Sequence, residues 1–517
     1  MKKNIIIATI AVASAFILSV SCQKQEILVS ENTNDSEIVA FTATIDQEPT
    51  KTVLVAGSAS GKFKVNWAAE DKISIKSAEY TVSEIKDDGA KATFSGTGAS
   101  KDGGKYKAIY PSTFYKTGSF GAYYFELPSI QTYAAGKFNA PMYAESETES
   151  LAFKNICGVL CLSLKGDSND KVRYITVIAD EGVCGKFTMG SDATTLTLSG
   201  TAGEYSRTVS LDCGEGGVEL NNTTPTNFFI YLPPNTYAAG MKIIITTTDS
   251  KVFEKITTAS ATIERNNIYT FNDWTLNFQA KPALLSGEFT VAGDKTVKFT
   301  KGNLWADASG DNASNPVLHF ETNQYGFNKT YSDKSHVSYF NFCNTVGRAV
   351  DTAAEDNYLF CDEDHKQPVD GQSDCYALSN GEWSYLFTSR TSAANKYGYA
   401  TVNGVCGIII LPDTFNDPYA GIKAFRHKST TSYSANKYSE AEWIAMESGG
   451  AVFLPAAGHR DGLSVSYANG YGYYWSSTYK TGWDSAYFLN ILSNSVSVSD
   501  EYTCTGHSVR LVKNNLE

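Results

Sequence analysis

Near its C-terminus the chain reads GYYWSSTYKTGWDSAYFLN, Gly472 to Asn490, two tryptophans and four tyrosines set among hydroxyls, one Asp and one Asn. An aromatic ring beside a carboxylate or amide can stack on the apolar face of a sugar while the polar group takes its hydroxyls. The same residues can equally form the core of a small sheet, and alternation separates the two roles. Strands over Gly472 to Thr478 and Ser485 to Ile491, joined by a turn from Tyr479 to Asp484, send Tyr473 and Trp475 to one face and Tyr474 to the other. Trp475 is then a core residue. Tyr479, Trp483 and Asp484 flank the turn and are the candidates for ligand binding.

Other chemistry is thinner. His459, Arg460 and Asp461 stand together in LPAAGHRDG, but a lone His in a polar loop is more commonly held by hydrogen bonds than used in catalysis. Asp461, Asp484, Asp500 and Glu501 offer oxygen ligands hard enough for calcium, without the fixed spacing of an EF-hand, so calcium stays unassigned and no metal site or cofactor is expected. No His-Glu zinc motif, G-x-S-x-G elbow, P-loop or dinucleotide fingerprint occurs, and the chain is expected not to be an enzyme.

At the N-terminus, Lys2 and Lys3 precede an apolar run from Ile5 to Leu18 and the junction Ser19-Val20-Ser21-Cys22. This resembles a bacterial lipoprotein signal, with Ser19 where that family usually has Leu; the resemblance implies that Cys22 carries the lipid. Residues 1–22 are then a signal peptide and 23–37 a polar tether. Nine further cysteines leave at least one unpaired within the chain. Cys157 and Cys161 fall in an apolar run and read as small buried side chains, and a disulfide from Cys375 to Cys504 would tie the first helix to the terminal sheet.

The elements that must position these groups are mostly strands. With 517 residues, 42% hydrophobic content and turns marked by pairs such as Asp87-Asp88-Gly89, the chain reads as several β-rich domains. A net charge of −12 and the lack of a basic run argue against nucleic acid as a partner. Short alternating runs fill 38–148 and a second set fills 149–280. Pro282 and Gly287 mark a linker, after which the grammar changes. Ser379 and Glu382, then Ser439 and Glu442, form two capping boxes that start short helices, the second ending at Gly449.

Two resemblances attach to these segments. The order Thr50-Lys51-Thr52, VNWAAEDKISI, YKAIYP, LPSIQTYAAGKF, LAFKNICGVLCLSLKG and FIYLPPNTY is similar to the fimbrillin-like lipoproteins of Gram-negative anaerobes, built from paired transthyretin-like β domains. Trp67, Asp71 and Tyr110 within it read as core and turn packing. From 287 to 514 the order VKFTKGNLW, GEWSYLF, ATVNGVCGIIILP, AVFLPAAGHRDG, YYWSST, AYFLNI and GHSVRLV resembles a C-type-lectin-like domain and, more distantly, the formylglycine-generating-enzyme fold. That enzyme family needs a metal-binding cysteine pair, and Cys504 has no cysteine neighbour.

The expected fold class is therefore mainly β: two transthyretin-like β-sandwich domains followed by an α+β C-type-lectin-like domain. The resemblances imply an outer-membrane lipoprotein at the cell surface, a pilus-tip or accessory adhesin that binds glycan or a host-surface protein. In fimbrillin-like pilins a cut after a basic residue removes the first strand, and a neighbouring pilin fills the slot by donor-strand exchange; Lys51 is the matching candidate here. The alternatives are a monomeric glycan-capturing lipoprotein and a formylglycine-generating-type enzyme.

Overall fold

In the computed structural model the described residues are 38–45, 66–117, 123–135, 141–190, 195–198, 205–313, 316–330, 332–342, 368–419, 423–427 and 431–515. Cys22, Lys51 and the N-terminal signal and tether lie outside them. The described chain is mainly β, as expected, and 38–517 forms one compact unit. No helix among the described residues is long and apolar enough to cross a membrane.

The first strand, β1 (Val39–Ile45), alternates inward Phe41, Ala43 and Ile45 with outward Thr42 and Thr44. It lies parallel to Ser150–Asn155 on one side and antiparallel to Lys91–Gly96 on the other, in a closed barrel completed by Met142–Ser146, Tyr106–Tyr110, Lys72–Ile75 and Ala78–Lys86. Trp67 fills the barrel, its ring edge-on to Phe94, Tyr110 and Phe153 at 5.1, 5.3 and 5.3 Å. Asp71 closes the adjoining turn, accepting from the Ala68 amide at 2.7 Å and the Tyr110 hydroxyl at 2.9 Å. These three residues thus pack and cap.

The second layer is a sandwich. A sheet ordered Val252–Thr257, Met241–Thr247, Lys171–Ala179, Thr208–Asp212 and Ile130–Thr132 shares its apolar face with Thr226–Leu232, Gly158–Lys165 and Ile268–Thr275. Leu160, Leu162, Ile175, Val177, Phe228 and Ile243 interdigitate between the sheets. Cys157 and Cys161 are buried free thiols, and burial pushes the Cys161 thiol up to about 12.

The sequence boundary at 148/149 does not coincide with the sheets. Ser150–Asn155 closes the first barrel, while Tyr123–Leu127 and Ile130–Thr132 leave it to pair with Cys184–Met189 and Thr208–Asp212. Backbone edges satisfied only by long-range partners leave no mark in local alternation.

The C-terminal region is α+β. Its opening strands Phe289–Ala292 and Lys295–Phe299 form a sheet with Leu511–Asn514 and Tyr376–Ala377, so the two ends of the region meet. Helix α1 (Asn380–Thr388) and helix α2 (Glu440–Ser448) both start with complete capping boxes, Ser379 with Glu382 and Ser439 with Glu442. At the end of α2, Gly449 is the C-cap at φ −79°, and the left-handed turn falls one residue later, at Gly450 with φ +89°. α2 docks on the sandwich: Tyr174 donates to Glu440 at 3.2 Å, and Ser206 and Thr208 donate to the Pro418 carbonyl at 2.9 and 3.3 Å.

Gly287, expected within a linker, is instead packed. A Cβ there would stand 2.3 Å from the Gly450 carbonyl oxygen, and one on Gly450 2.6 Å from the Gly287 Cα. Neither neighbour is a flexible side chain, so relief requires backbone movement. Gly287→Ala is expected to destabilise by about 1–3 kcal/mol, the usual cost of overpacking. Gly216→Ala, where nothing lies within 4 Å, serves as the near-neutral control in the same denaturant titration. Equal midpoints for the two variants would show that this contact yields easily.

Candidate ligand-binding surfaces

The aromatic hairpin forms as Gly472–Lys480 and Ser485–Ile491, with Val496–Tyr502 as its third strand. Trp475 is 2% exposed, and its indole N–H donates to the Phe340 carbonyl at 2.8 Å. Its ring lies 4.0 Å from that of His507 at an interplanar angle of 28°. Tyr474, on the opposite face, is buried and donates to the Pro455 carbonyl at 2.7 Å. Both rings therefore hold the sheet between two cores.

The three candidate ligand residues do not share an environment. A register shift between Trp475 and Tyr479 breaks the alternation. Tyr479 ends half-buried against the core that contains Trp475, its ring 6.2 Å from Phe342. Trp483 is 67% exposed beside Gly482, whose φ of +81° makes the turn. The Lys480 ammonium sits 5.4 Å from the Trp483 ring centroid and pairs with Asp500 at 2.9 Å. Asp484 is exposed next to Trp483, and its backbone carbonyl accepts from the Thr503 amide at 3.0 Å. Trp483 with Asp484 is thus the exposed aromatic–carboxylate pair, and Tyr479 belongs to the packing beneath.

His459 is half-buried, edge-on to Tyr473 at 4.8 Å, and burial lowers its pKa. Arg460 is 1% exposed; its guanidinium donates to the Gly462 carbonyl at 2.7 Å and to the Asn341 side chain. Asp461 is exposed and pairs in register with Ser464. The three side chains therefore do not converge. Among the calcium candidates Asp500 is committed to Lys480 and Glu501 accepts from the Tyr502 amide at 3.1 Å. Among the described residues no group of three or more His, Cys, Asp or Glu could hold a metal ion. Cys504 is an exposed free thiol and Cys375 is buried, so the disulfide considered between them does not form.

A second concavity was not legible in the sequence. A cleft of about 620 Å³ opens where α2 meets the sandwich, lined by Tyr174, Tyr325, Glu440 and Trp443 among others. Glu440 accepts from the Tyr174 hydroxyl on one oxygen at 3.2 Å and from the Tyr325 hydroxyl on the other at 2.8 Å. Burial, then the Glu440 charge, raises the pKa of both tyrosines, which stay protonated donors. The one local signal was Glu440 itself: only Glu442 is needed for the capping box, so SEAEW carries a spare acid.

No family model matches the chain, and no curated protein matches it. Among solved structures it superposes on a fimbrial protein from Bacteroides ovatus at 11% identity and TM-score 0.22, covering 91% of this chain and 97% of that one. It superposes on the C-terminally truncated tip fimbrial protein Mfa3 from Porphyromonas gingivalis at 8% identity and TM-score 0.21, covering 45% and 93%. A third match is a fimbrial assembly protein from Parabacteroides distasonis at 9% identity and TM-score 0.22, covering 55% and 99%. At these scores the superpositions establish no shared fold, and the architecture rests on this chain's own sheets.

Two measurements test the hairpin. Trp475→Ala is expected to cost about 3–5 kcal/mol, as for a large buried aromatic, whereas Trp483→Ala leaves the melting temperature nearly unchanged. The reverse ranking would overturn the assignment of core and surface.

The second concerns pH. His507 is 1% exposed, and burial, then the neighbouring His459 and Arg460, hold its pKa well below the ordinary value. It is neutral in the fold, while the unfolded chain takes up its proton near about pH 6.5. The unfolded state binds more protons below that value, so stability falls as pH drops through it. His336 acts oppositely: its hydrogen bond to Glu321 raises its pKa, so its contribution is complete below about pH 6.5 and fades as pH rises through the raised native value. His507→Phe should flatten the loss of melting temperature between about pH 7 and pH 5, and His336→Gln should steepen it. Slopes unchanged by His507→Phe would remove His507 as the cause.

Proposed function

We propose that the chain is a non-enzymatic, surface-anchored lipoprotein of the fimbrillin type, acylated at Cys22, that works as a pilus-tip or accessory adhesin. The observation that carries this reading is the placement of β1. It is held between Lys91–Gly96 and Ser150–Asn155 and supplies Phe41, Ala43 and Ile45 to the barrel core. A cut at Lys51 followed by loss of β1 would open a slot with unpaired backbone on both walls and an apolar floor. That is the surface a donated strand fills by β-augmentation.

The C-terminal region supports an acceptor role rather than a donor role. Leu511–Asn514 pairs on both sides, with Lys295–Phe299 and Tyr376–Ala377, and is not available to fill a neighbour's slot. The exposed Trp483 and Asp484 are an aromatic–carboxylate pair of the kind a lectin-like head could use for glycan or protein. The cleft beside α2 favours a second reading, a monomeric lipoprotein that captures glycan.

Mass spectrometry of surface-extracted protein separates these readings. The adhesin predicts chains beginning at Thr52 in purified pili, and loss of acyl label and membrane retention in Cys22→Ser. Intact Cys22-linked chains alone, together with pili that lack this protein, would overturn polymerisation and leave the monomeric reading.

A further inference from the structure

The cleft between α2 and the sandwich combines three features that interface packing alone does not require. Its volume, about 620 Å³, falls inside the range of roughly 300–1,000 Å³ common for small-molecule sites. Its charges are internally settled: Lys281 pairs with Glu447, Lys242 with Glu254 at 3.0 Å, Lys298 with Glu288 at 3.6 Å and Arg173 with Asp212. Glu440 is the exception, a half-buried carboxylate held by the neutral hydroxyls of Tyr174 and Tyr325, one from the sandwich and one from the C-terminal region.

A carboxylate has about four acceptor positions, and two phenols occupy half of them. The rest remain for a ligand. Trp443, which lines the same cleft three residues further along α2, is 3% exposed and its indole N–H has no hydrogen-bond partner among the described residues. The site therefore offers an acceptor in Glu440, with Trp443, whose indole nitrogen is itself enclosed, and half-buried Ile444 and Leu284 as apolar wall.

Charge then selects the ligand class. An anion meets Glu440, which forms no ion pair with any cation among the described residues. A cation competes for Glu440 against a wall bearing Arg173, Lys242, Lys281 and Lys298. A neutral molecule rich in hydroxyls satisfies the carboxylate without displacing an ion pair, and the C–H faces of sugar rings suit the aliphatic wall. We propose that this interdomain cleft binds a short neutral oligosaccharide, with Glu440 accepting its hydroxyls and Tyr174 and Tyr325 positioning that carboxylate. None of the lining residues belongs to the Gly472–Asn490 hairpin, so the site stands apart from the adhesin surface at Trp483.

The test uses the full mature chain in titration calorimetry against chitobiose, N-acetyllactosamine, cellotriose and maltotriose, with sialyllactose and glucosamine as charged comparators. Saturable binding of at least one neutral sugar is expected, weakened about tenfold or more by Glu440→Gln, which loses a charged acceptor and one phenol contact. If Glu440→Gln fails to fold, Ile444→Trp decides by filling the cleft while leaving the Glu440 contacts in place, and it should abolish binding. No neutral sugar bound, preference for a charged comparator, or binding indifferent to the cleft variants would overturn the proposal. Loss of binding in Trp483→Ala with Ile444→Trp unaffected would also overturn it, and would assign the sugar to the hairpin with the adhesin reading intact.

Discussion

One buried cation, Arg510, ties together much of the C-terminal region. Arg510 is fully buried, and burial lowers its pKa to about 10. Removing a guanidinium from water is costly unless its N–H groups are answered, and here the two Nη groups are answered from distant segments while Nε has no partner among the described residues. Its Nη2 donates to the Gln324 side-chain oxygen at 2.8 Å, and its Nη1 reaches the Asn303 side chain at 3.3 Å and the Phe453 carbonyl at 3.4 Å. Each acceptor is itself fixed. Gln324 takes the Phe453 amide at 2.7 Å and donates to Glu447 at 2.9 Å, while Asn303 donates to the Tyr474 hydroxyl at 3.2 Å. The hairpin, the Val452–Pro455 strand, the 323–325 loop and the end of α2 are thereby tied to one charge. Moving any of them strands a polar group in the core.

That network also explains why the cleft is shaped. Glu447, at the far end of α2 from Glu440, is anchored by Gln324 and paired with Lys281 from the segment joining the sandwich to the C-terminal region. Glu440, at the helix start, is held by Tyr174 of the sandwich. The helix is thus fastened at both ends, and the space beside it is bounded by rigid elements, the condition under which a concavity is preformed rather than a gap that closes. Ile178 adds apolar contact by packing on the cluster of Tyr419, Tyr438 and Trp443.

What could be read from the sequence follows the range of the interactions involved. Both capping boxes were visible because the Ser and the Glu that answer each other stand three residues apart. The burial of Trp475 was visible because strand alternation is local. Tyr479 was misplaced at an exposed turn for a related reason: the bulge that turns it toward Phe342 shifts the register, and nothing in YWSSTYK announces it. The 148/149 boundary missed because the strands that cross it are assigned by partners more than fifty residues away, such as Phe125 opposite Phe187. The cleft was out of reach altogether, since Tyr174, Tyr325 and Glu440 come from three separated segments and only the fold makes them neighbours.

The contrast between the two surfaces bears on how each could recognise a ligand. Trp483 projects from a turn with one charged neighbour over its ring, so its contribution to binding is mainly the area it can cover, and water competes for every polar contact around it. Glu440 is positioned by two donors before any ligand arrives, and its ordering cost has been met by folding. A solvent-exposed aromatic of the first kind suits many weak contacts made together, as adhesion at a surface requires, because linked weak sites gain from effective concentration. A walled carboxylate of the second kind suits selection of one small molecule by its hydrogen-bonding pattern. The chain carries both arrangements within one compact unit, and of the two the exposed pair has the accessibility that contact with a macromolecular surface demands.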